Sequence, residues 1–444
     1  MSRTSAMTTL RRTGVSATLM LAATGFLACA PSAPAQSADR YVESLPGVRT
    51  GIVNAHQRVA NTSAINAFLA GGGRLRLHVG TRVEIAGTLK IASGGAIIGD
   101  VGTAKPIIFM PANAFDNTVD VVDKTRYGAR AVGIDFSGEL LGALRPSTGV
   151  TIENLRLVSE SKTGRRLRGI VGRNVVGCVL RNVELRDFPM AIGVALASAR
   201  GCRLSNIYIH DFYDDTAWRL LAQSTGIEID NDEVDGIPSS GNIIDGFRIE
   251  RIRVGGALLA KWGYQTDGIN LFFGAHGTQI SNGTISDVGE GIDTFGSDGM
   301  TSNVTIGRAY IFGLKFIHGA AHNRANNIVI HDAGLAAVNF SGSDQASQDT
   351  FDNSITDLTV SNIDARGTWR ANSTAGILIS GKNARRNPVD NRVTHARIDL
   401  GPNGKYGWLD GSTGSGNTGI DIRINGGRSL DRPVLVLYGG GAVR

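Results

Sequence analysis

A chain of 444 residues with 59 Gly, 11 Pro, 42% apolar and 19% charged residues can bury a large core, but its glycine content excludes a helical bundle and favours short apolar strands joined by tight turns. The formal net charge is +6, yet residues 1 to 35 hold Arg3, Arg11 and Arg12 and no acid, so the remainder carries +3 (6 − 3 = 3). That bias is too mild to argue for nucleic acid, and the sequence offers no Gly-rich phosphate cradle, no Cys/His zinc spacing and no continuous basic helix.

The N-terminus reads as an export signal over residues 1–35: Arg11-Arg12 precede the apolar run 13–28, and Ala33-Pro34-Ala35 offers small residues to a signal peptidase. Phe26-Leu27-Ala28-Cys29 opens a second route, a lipid anchor at Cys29. No later segment approaches the roughly 20 apolar residues of a transmembrane helix. Residues 36–60 then form an N-terminal extension and 61–444 one domain. Within that domain Asn61-Thr62-Ser63 caps a predicted helix over 64–70, whose Ile65, Phe68 and Leu69 share a face and which Gly71-Gly72-Gly73 stops.

Beyond the helix an apolar–spacer–Asn–apolar pattern recurs, in Ile152-Glu153-Asn154-Leu155, Leu180-Arg181-Asn182-Val183, Leu204-Ser205-Asn206-Ile207 and Ile280-Ser281-Asn282-Gly283, with Ile244–Phe247 and Ile306–Ala309 as variants. A second column, Gly268-Ile269-Asn270, Gly291-Ile292-Asp293, Gly313-Leu314-Lys315 and Ala336-Ala337-Val338, is spaced by 23, 22 and 23 residues. A unit of this length cannot bury its inner face alone, so units must stack. The expected fold is all-β, a single-stranded right-handed parallel β-helix with an N-terminal capping helix. Asn suits the coil corners, because it tolerates left-handed backbone geometry and can bond its counterpart one rung away. Cys178 and Cys202, 24 apart, read as stacked reduced core residues, although strand spacing also permits a disulfide.

A capped helix, glycines and Asn-marked coils resemble the pectin-lyase-like superfamily over residues 50–425. The resemblance implies a protein that handles polysaccharides, but the superfamily spans lyases, hydrolases, epimerases and phage tailspikes, and fold does not choose among them.

Two long spans, 226–268 and 336–376, interrupt the short coils. The first carries Glu228, Asp230, Asp232, Glu233, Asp235, Trp262 and Tyr264, and the second carries Trp369. The acidic run lacks EF-hand spacing. Between these walls a groove for an extended ligand is expected. On its floor Asn270, Asp293 and Lys315 should point outward in one column while Ile269, Ile292 and Leu314 point inward, with Asp267 and Glu290 in a parallel column. His318, His322 and Arg324 follow in KFIHGAAHNR. The candidate catalytic residues are therefore Lys315, His318, Asp293, Asp267 and Glu290, and the candidate substrate-binding residues are Asn270, His322, Arg324, Tyr264, Trp262 and Trp369.

Two chemistries suit this set. β-Elimination on an anionic, uronate-containing polysaccharide needs a base such as Lys315 or His318, and the resemblance to β-helix lyases implies Ca²⁺ held by Asp267, Glu290 and Asp293. Hydrolysis needs one protonated and one ionised carboxyl group, for which Asp267 and Glu290 qualify. Gln265-Thr266-Asp267-Gly268 resembles the Asn-Thr-Asp-Gly motif of polygalacturonases, but Ile311-Phe312-Gly313 stands where those enzymes have Gly-His-Gly. An exported lyase is the first expectation. A hydrolase, or a noncatalytic glycan-binding surface protein, is the alternative.

Overall fold

The computed structural model describes residues 39–111, 131–138, 145–160, 167–188, 192–214, 224–231, 236–254, 266–369, 372–381, 384–426, 435–437 and 442–443. The chain divides into Met1–Gln36 and Ser37–Arg444. The predicted signal, with Cys29, lies outside the described residues, as do Trp262 and Tyr264.

From Asp39 onward the strands pair in parallel with the strands of the next coil, and three ladders result. The first ladder begins with Asp39–Tyr41 on Arg74–Leu77 and continues through Ala96–Gly99, Thr151–Glu153 and Val179–Arg181. The second begins with Arg82–Glu84, Ile107–Met110, Arg156–Ser159 and Glu184–Arg186. The third includes Thr225–Asp230, Asp267–Leu271, residues 290–294 of Gln279–Thr294, residues 312–316 of Met300–Phe316, Ala336–Ser341 and Ala375–Ser380. This is the expected right-handed parallel β-helix, and the long strands bend at its corners to pass from one sheet to the next.

Alternation along each strand sends one set of side chains into the coil. In the third sheet Ile227, Ile269, Ile292, Leu314, Val338 and Ile377 lie directly above one another and are all buried. Each such side chain contributes about 1.5–3 kcal/mol of apolar burial, so the stack is what fixes the register.

The corners depend on the recurring Asn. Asn154, Asn182, Asn206, Asn282, Asn303 and Asn327 all have φ between 52° and 55°. Asn182 Nδ2 donates to Asn154 Oδ1 at 2.9 Å, Asn303 to Asn282 at 3.0 Å and Asn327 to Asn303 at 2.9 Å. The variant at Ile244–Phe247 uses Gly246, φ 66°, at this corner. The variant at Ile306–Ala309 belongs elsewhere: its Arg308, φ 52°, turns the corner between the second and third sheets, and the Asn of that coil is Asn303. A further buried ladder escaped the sequence reading, with Asn323 donating to Asn353 at 2.8 Å, Asn353 to Asn391 at 2.9 Å and Asn391 to Asn417 at 3.0 Å.

Two expectations are corrected. The helix is Ala55–Leu69 and its cap is Asn54, which accepts the Gln57 N–H at 2.9 Å. Asn61 is no cap: it lies on the buried face with Ile65 and Leu69, and its amide donates to the carbonyls of Arg49 and Glu84. Cys178 and Cys202 form a disulfide rather than a reduced pair, because rung spacing brings their Cα atoms to 4.5 Å. Among the described residues no helix is long and apolar enough to cross a membrane.

Candidate active site

The third sheet brings the expected residues together. Asp267 pairs with Glu290 on the next coil, and Asn270, Asp293 and Lys315 occupy one row on three successive coils, extended by Glu228 before and Asn339 after. Asp267 and Asn270 are three residues apart, an odd spacing that strict alternation would place on opposite faces, yet Asn270 Nδ2 donates to Asp267 Oδ2 at 3.0 Å. The glycine between them explains this. A Cβ on Gly268 would lie 2.6 Å from the Gly291 carbonyl, and one on Gly291 2.4 Å from the Gly313 carbonyl. Only glycine allows the neighbouring backbone this close, and the register steps over it, so the acid before each glycine stays on the outer face.

Outer does not mean open, and the expectation of an open acidic groove is corrected here. Asp267, Asn270, Glu290 and Asp293 are no more than 2% exposed, whereas the Lys315 side chain retains 13%. Lys315 Nζ donates to Glu290 Oε2 at 2.8 Å and to Asp293 Oδ2 at 3.0 Å. Asp267 Oδ1, Asp293 Oδ1 and Asn270 Oδ1 are buried without a hydrogen-bond partner. Burial, reinforced by the Glu290 charge, pushes the Asp267 carboxyl up to about 8. Burial likewise lifts Asp293 well above the usual carboxylate range, although Lys315 opposes it. For Lys315 burial disfavours the charged form, but Asp293 and Glu290 outweigh it and hold the ammonium above the usual lysine range. A lysine so held is a charge anchor and a poor base.

Oxygens of Asp267, Glu290 and Asp293 lie within 4.8 Å of one another, and such hard donors suit Ca²⁺. Lys315 nevertheless spans Glu290 and Asp293, so the three carboxylates do not fit a shared ion while that ammonium is in place.

Beside the cluster stands a wall of rings that sequence reasoning missed. Phe273, Phe295 and His318 each follow the end of a third-sheet strand on successive coils, with ring centroids 5.2 Å apart for Phe273–Phe295 and 4.5 Å for Phe295–His318. All three are half-buried. The signal was present in Leu271-Phe272-Phe273-Gly274 and Thr294-Phe295-Gly296, where an aromatic follows the strand in consecutive coils. His318 has φ 55°, in the left-handed region that His adopts more readily than most side chains, and its Nδ1 lies 2.5 Å from Ser343 Oγ. Burial, and then the Lys315 charge, lower its pKa to about 4.

The remaining candidates lie apart from this cluster. His322 and Arg324 are exposed where the chain enters the first sheet, and both pair with Asp352, at 2.8 and 3.0 Å. Seven and nine residues after Lys315 the coil has already turned a corner, so closeness in sequence did not mean closeness in space. Trp369 donates its indole N–H to the Tyr310 carbonyl at 2.8 Å, between the second and third sheets.

No family model matches the sequence, and no curated protein matches it. Solved structures do resemble the fold. A Yersinia enterocolitica family 28 exopolygalacturonase superposes with a TM-score of 0.60 at 13% identity, over 92% of this chain and 79% of that one. The catalytic domain of a GH87 α-1,3-glucanase in complex with nigerose gives 0.57 at 13% identity, over 93% of this chain and 66% of that one. The Dettilon tailspike protein gives 0.54 at 15% identity, over 91% and 68%. The chain thus spans about two thirds of the glucanase domain and of the tailspike, and it shares the parallel β-helix fold of these structures.

Proposed function

We propose that this chain is a carbohydrate-active enzyme that hydrolyses a glycosidic bond of a polysaccharide at the third sheet. The observation that carries the reading is the trio Asp267, Glu290 and Asp293 around one ammonium, in which Asp267 keeps its proton to about pH 8. Asp267 is the proton donor to the leaving oxygen, Glu290 is the facing carboxylate, and Lys315 with Asp293 sets the field between them. The sugar approaches from the side of Lys315, Phe295 and His318, where the cluster is least covered. The neighbouring structures, which include a polygalacturonase and a glucanase, support carbohydrate chemistry on this fold. No step is assigned to a metal, because Lys315 occupies the carboxylates that would hold it.

A second reading is β-elimination of a uronate, with His318 in place of Lys315 as base, its ring unprotonated at neutral pH and beside the cluster. Export is supported by the N-terminal sequence and by the Cys178–Cys202 disulfide, which persists in an oxidising compartment.

Asp267→Asn and Glu290→Gln are each expected to lower kcat by about 10²–10⁴-fold on the substrate found by screening polysaccharides, with circular dichroism unchanged. Full activity in either folded variant would remove the hydrolytic assignment.

A further inference from the structure

The basic side chains near the cluster differ in one respect. Lys315 is shared between two carboxylates, while His322 and Arg324 are paired with Asp352. Arg386 is different: among the described residues no carboxylate pairs with its guanidinium, and its Nε, like those of Arg186 and Arg200, is buried without a hydrogen-bond partner. Leaving a buried donor unsatisfied is unfavourable unless something outside the chain completes it.

The backbone starts this side chain on the side of the aromatic wall. Ser343 and Arg386 form an antiparallel bridge, with Ser343 N–H donating to the Arg386 carbonyl at 2.9 Å and Arg386 N–H donating to the Ser343 carbonyl at 3.2 Å. Directly opposed residues of an antiparallel pair project to the same face. Ser343 Oγ meets His318 Nδ1, so Arg386 leaves the backbone on the His318 side. The bridge is tight: a Cβ on Gly342 would lie 2.6 Å from the Arg386 carbonyl, so the segment carrying Arg386 is held against the third-sheet coils.

We propose that Arg386 is a specificity-determining residue, whose guanidinium takes the carboxylate of an acidic sugar while the sugar ring lies against Phe295 and His318. The planar fork of arginine matches a carboxylate in two parallel hydrogen bonds, which a lysine cannot reproduce. The aromatic faces, negative at their centres, suit the C–H face of a pyranose. The acidic sugar sits at the Arg386 end of the site, away from the Asp267–Glu290–Asp293 charges that would repel it. This inference rests on the proposed glycan-binding role of the site but not on hydrolysis.

The test measures binding without turnover. Uronate oligosaccharides (oligogalacturonate, oligoglucuronate and oligomannuronate) and neutral malto- and cello-oligosaccharides are titrated into the Asp267→Asn protein, with and without Arg386→Gln or Arg386→Lys. At least one uronate series is expected to bind, to weaken at least tenfold with Arg386→Gln, and to recover only in part with Arg386→Lys, while the melting temperature stays unchanged. Added salt should weaken binding to the Arg386 protein more than binding to the Gln variant. Binding of no uronate, equal affinity in the Gln variant, or tighter binding of a neutral series would overturn the proposal. Uronate binding through Arg386 in a wild-type protein that cleaves nothing would leave it standing and defeat the hydrolytic reading. Hydrolysis of neutral glycans alone would do the reverse.

Discussion

Asp267 and His318 make opposite demands on pH. The native state holds the Asp267 proton more tightly than the unfolded chain does, so its contribution to stability is full below pH 3.8 and is lost as pH rises towards about 8. His318 is held neutral in the native state, so its contribution is full above pH 6.5 and is lost as pH falls through about 4. Between pH 6.5 and about 8 the carboxyl cluster therefore governs the slope. The melting temperature should fall across that window, and the fall should be shallower in Asp267→Asn. An identical slope in the variant would show that Asp267 titrates as an ordinary carboxyl group. The sequence made the neighbours of Asp267 legible, because glycine rows 23 and 22 residues apart leave little choice of register. It did not make their burial legible, since burial depends on what covers the outer face. Nor did it show that Lys315 would be consumed by two carboxylates at once, a fact of side-chain reach rather than of pattern.

At the scale of the repeating coil, two Asn ladders do different work. The corner Asn residues, such as Asn303, are exposed and serve chiefly by tolerating positive φ, whereas Asn353 and Asn391 are buried and satisfy backbone groups as well as each other. Asn391→Ala leaves several buried partners unpaired and should cost about 1–3 kcal/mol for each unsatisfied group. Asn303→Gly, which keeps the backbone freedom and loses only an exposed amide contact, should cost under about 1 kcal/mol. Urea denaturation of both variants checks the order, and an equal or reversed cost would refute this division. The corner ladder could be read from the sequence because it repeats inside an apolar pattern. The buried ladder was missed because its Asn residues stand just before the pattern, where they look like turn residues. The helix start was missed for a related reason: Asn61 resembles a cap in sequence, but the spacing to Ile65 and Leu69 places it on the buried face of a helix already under way.

For the molecule as a whole, stacking coils turns residues distant in sequence into one chemical site. The parallel β-helix was legible, and so was the row Asn270–Asp293–Lys315. The sequence reading ranked lyase above hydrolase without access to which groups hold protons, on which that choice depends. The function proposed above assigns the buried carboxyl trio to hydrolysis without a metal step. The most direct measurement follows the products released from a panel of acidic and neutral polysaccharides, with and without chelator, by reducing-end assay and by the ultraviolet absorbance of unsaturated sugars. New reducing ends without unsaturation, unaffected by chelator and abolished in Asp267→Asn, are expected. Unsaturated products, or activity that disappears with chelator, would contradict the account.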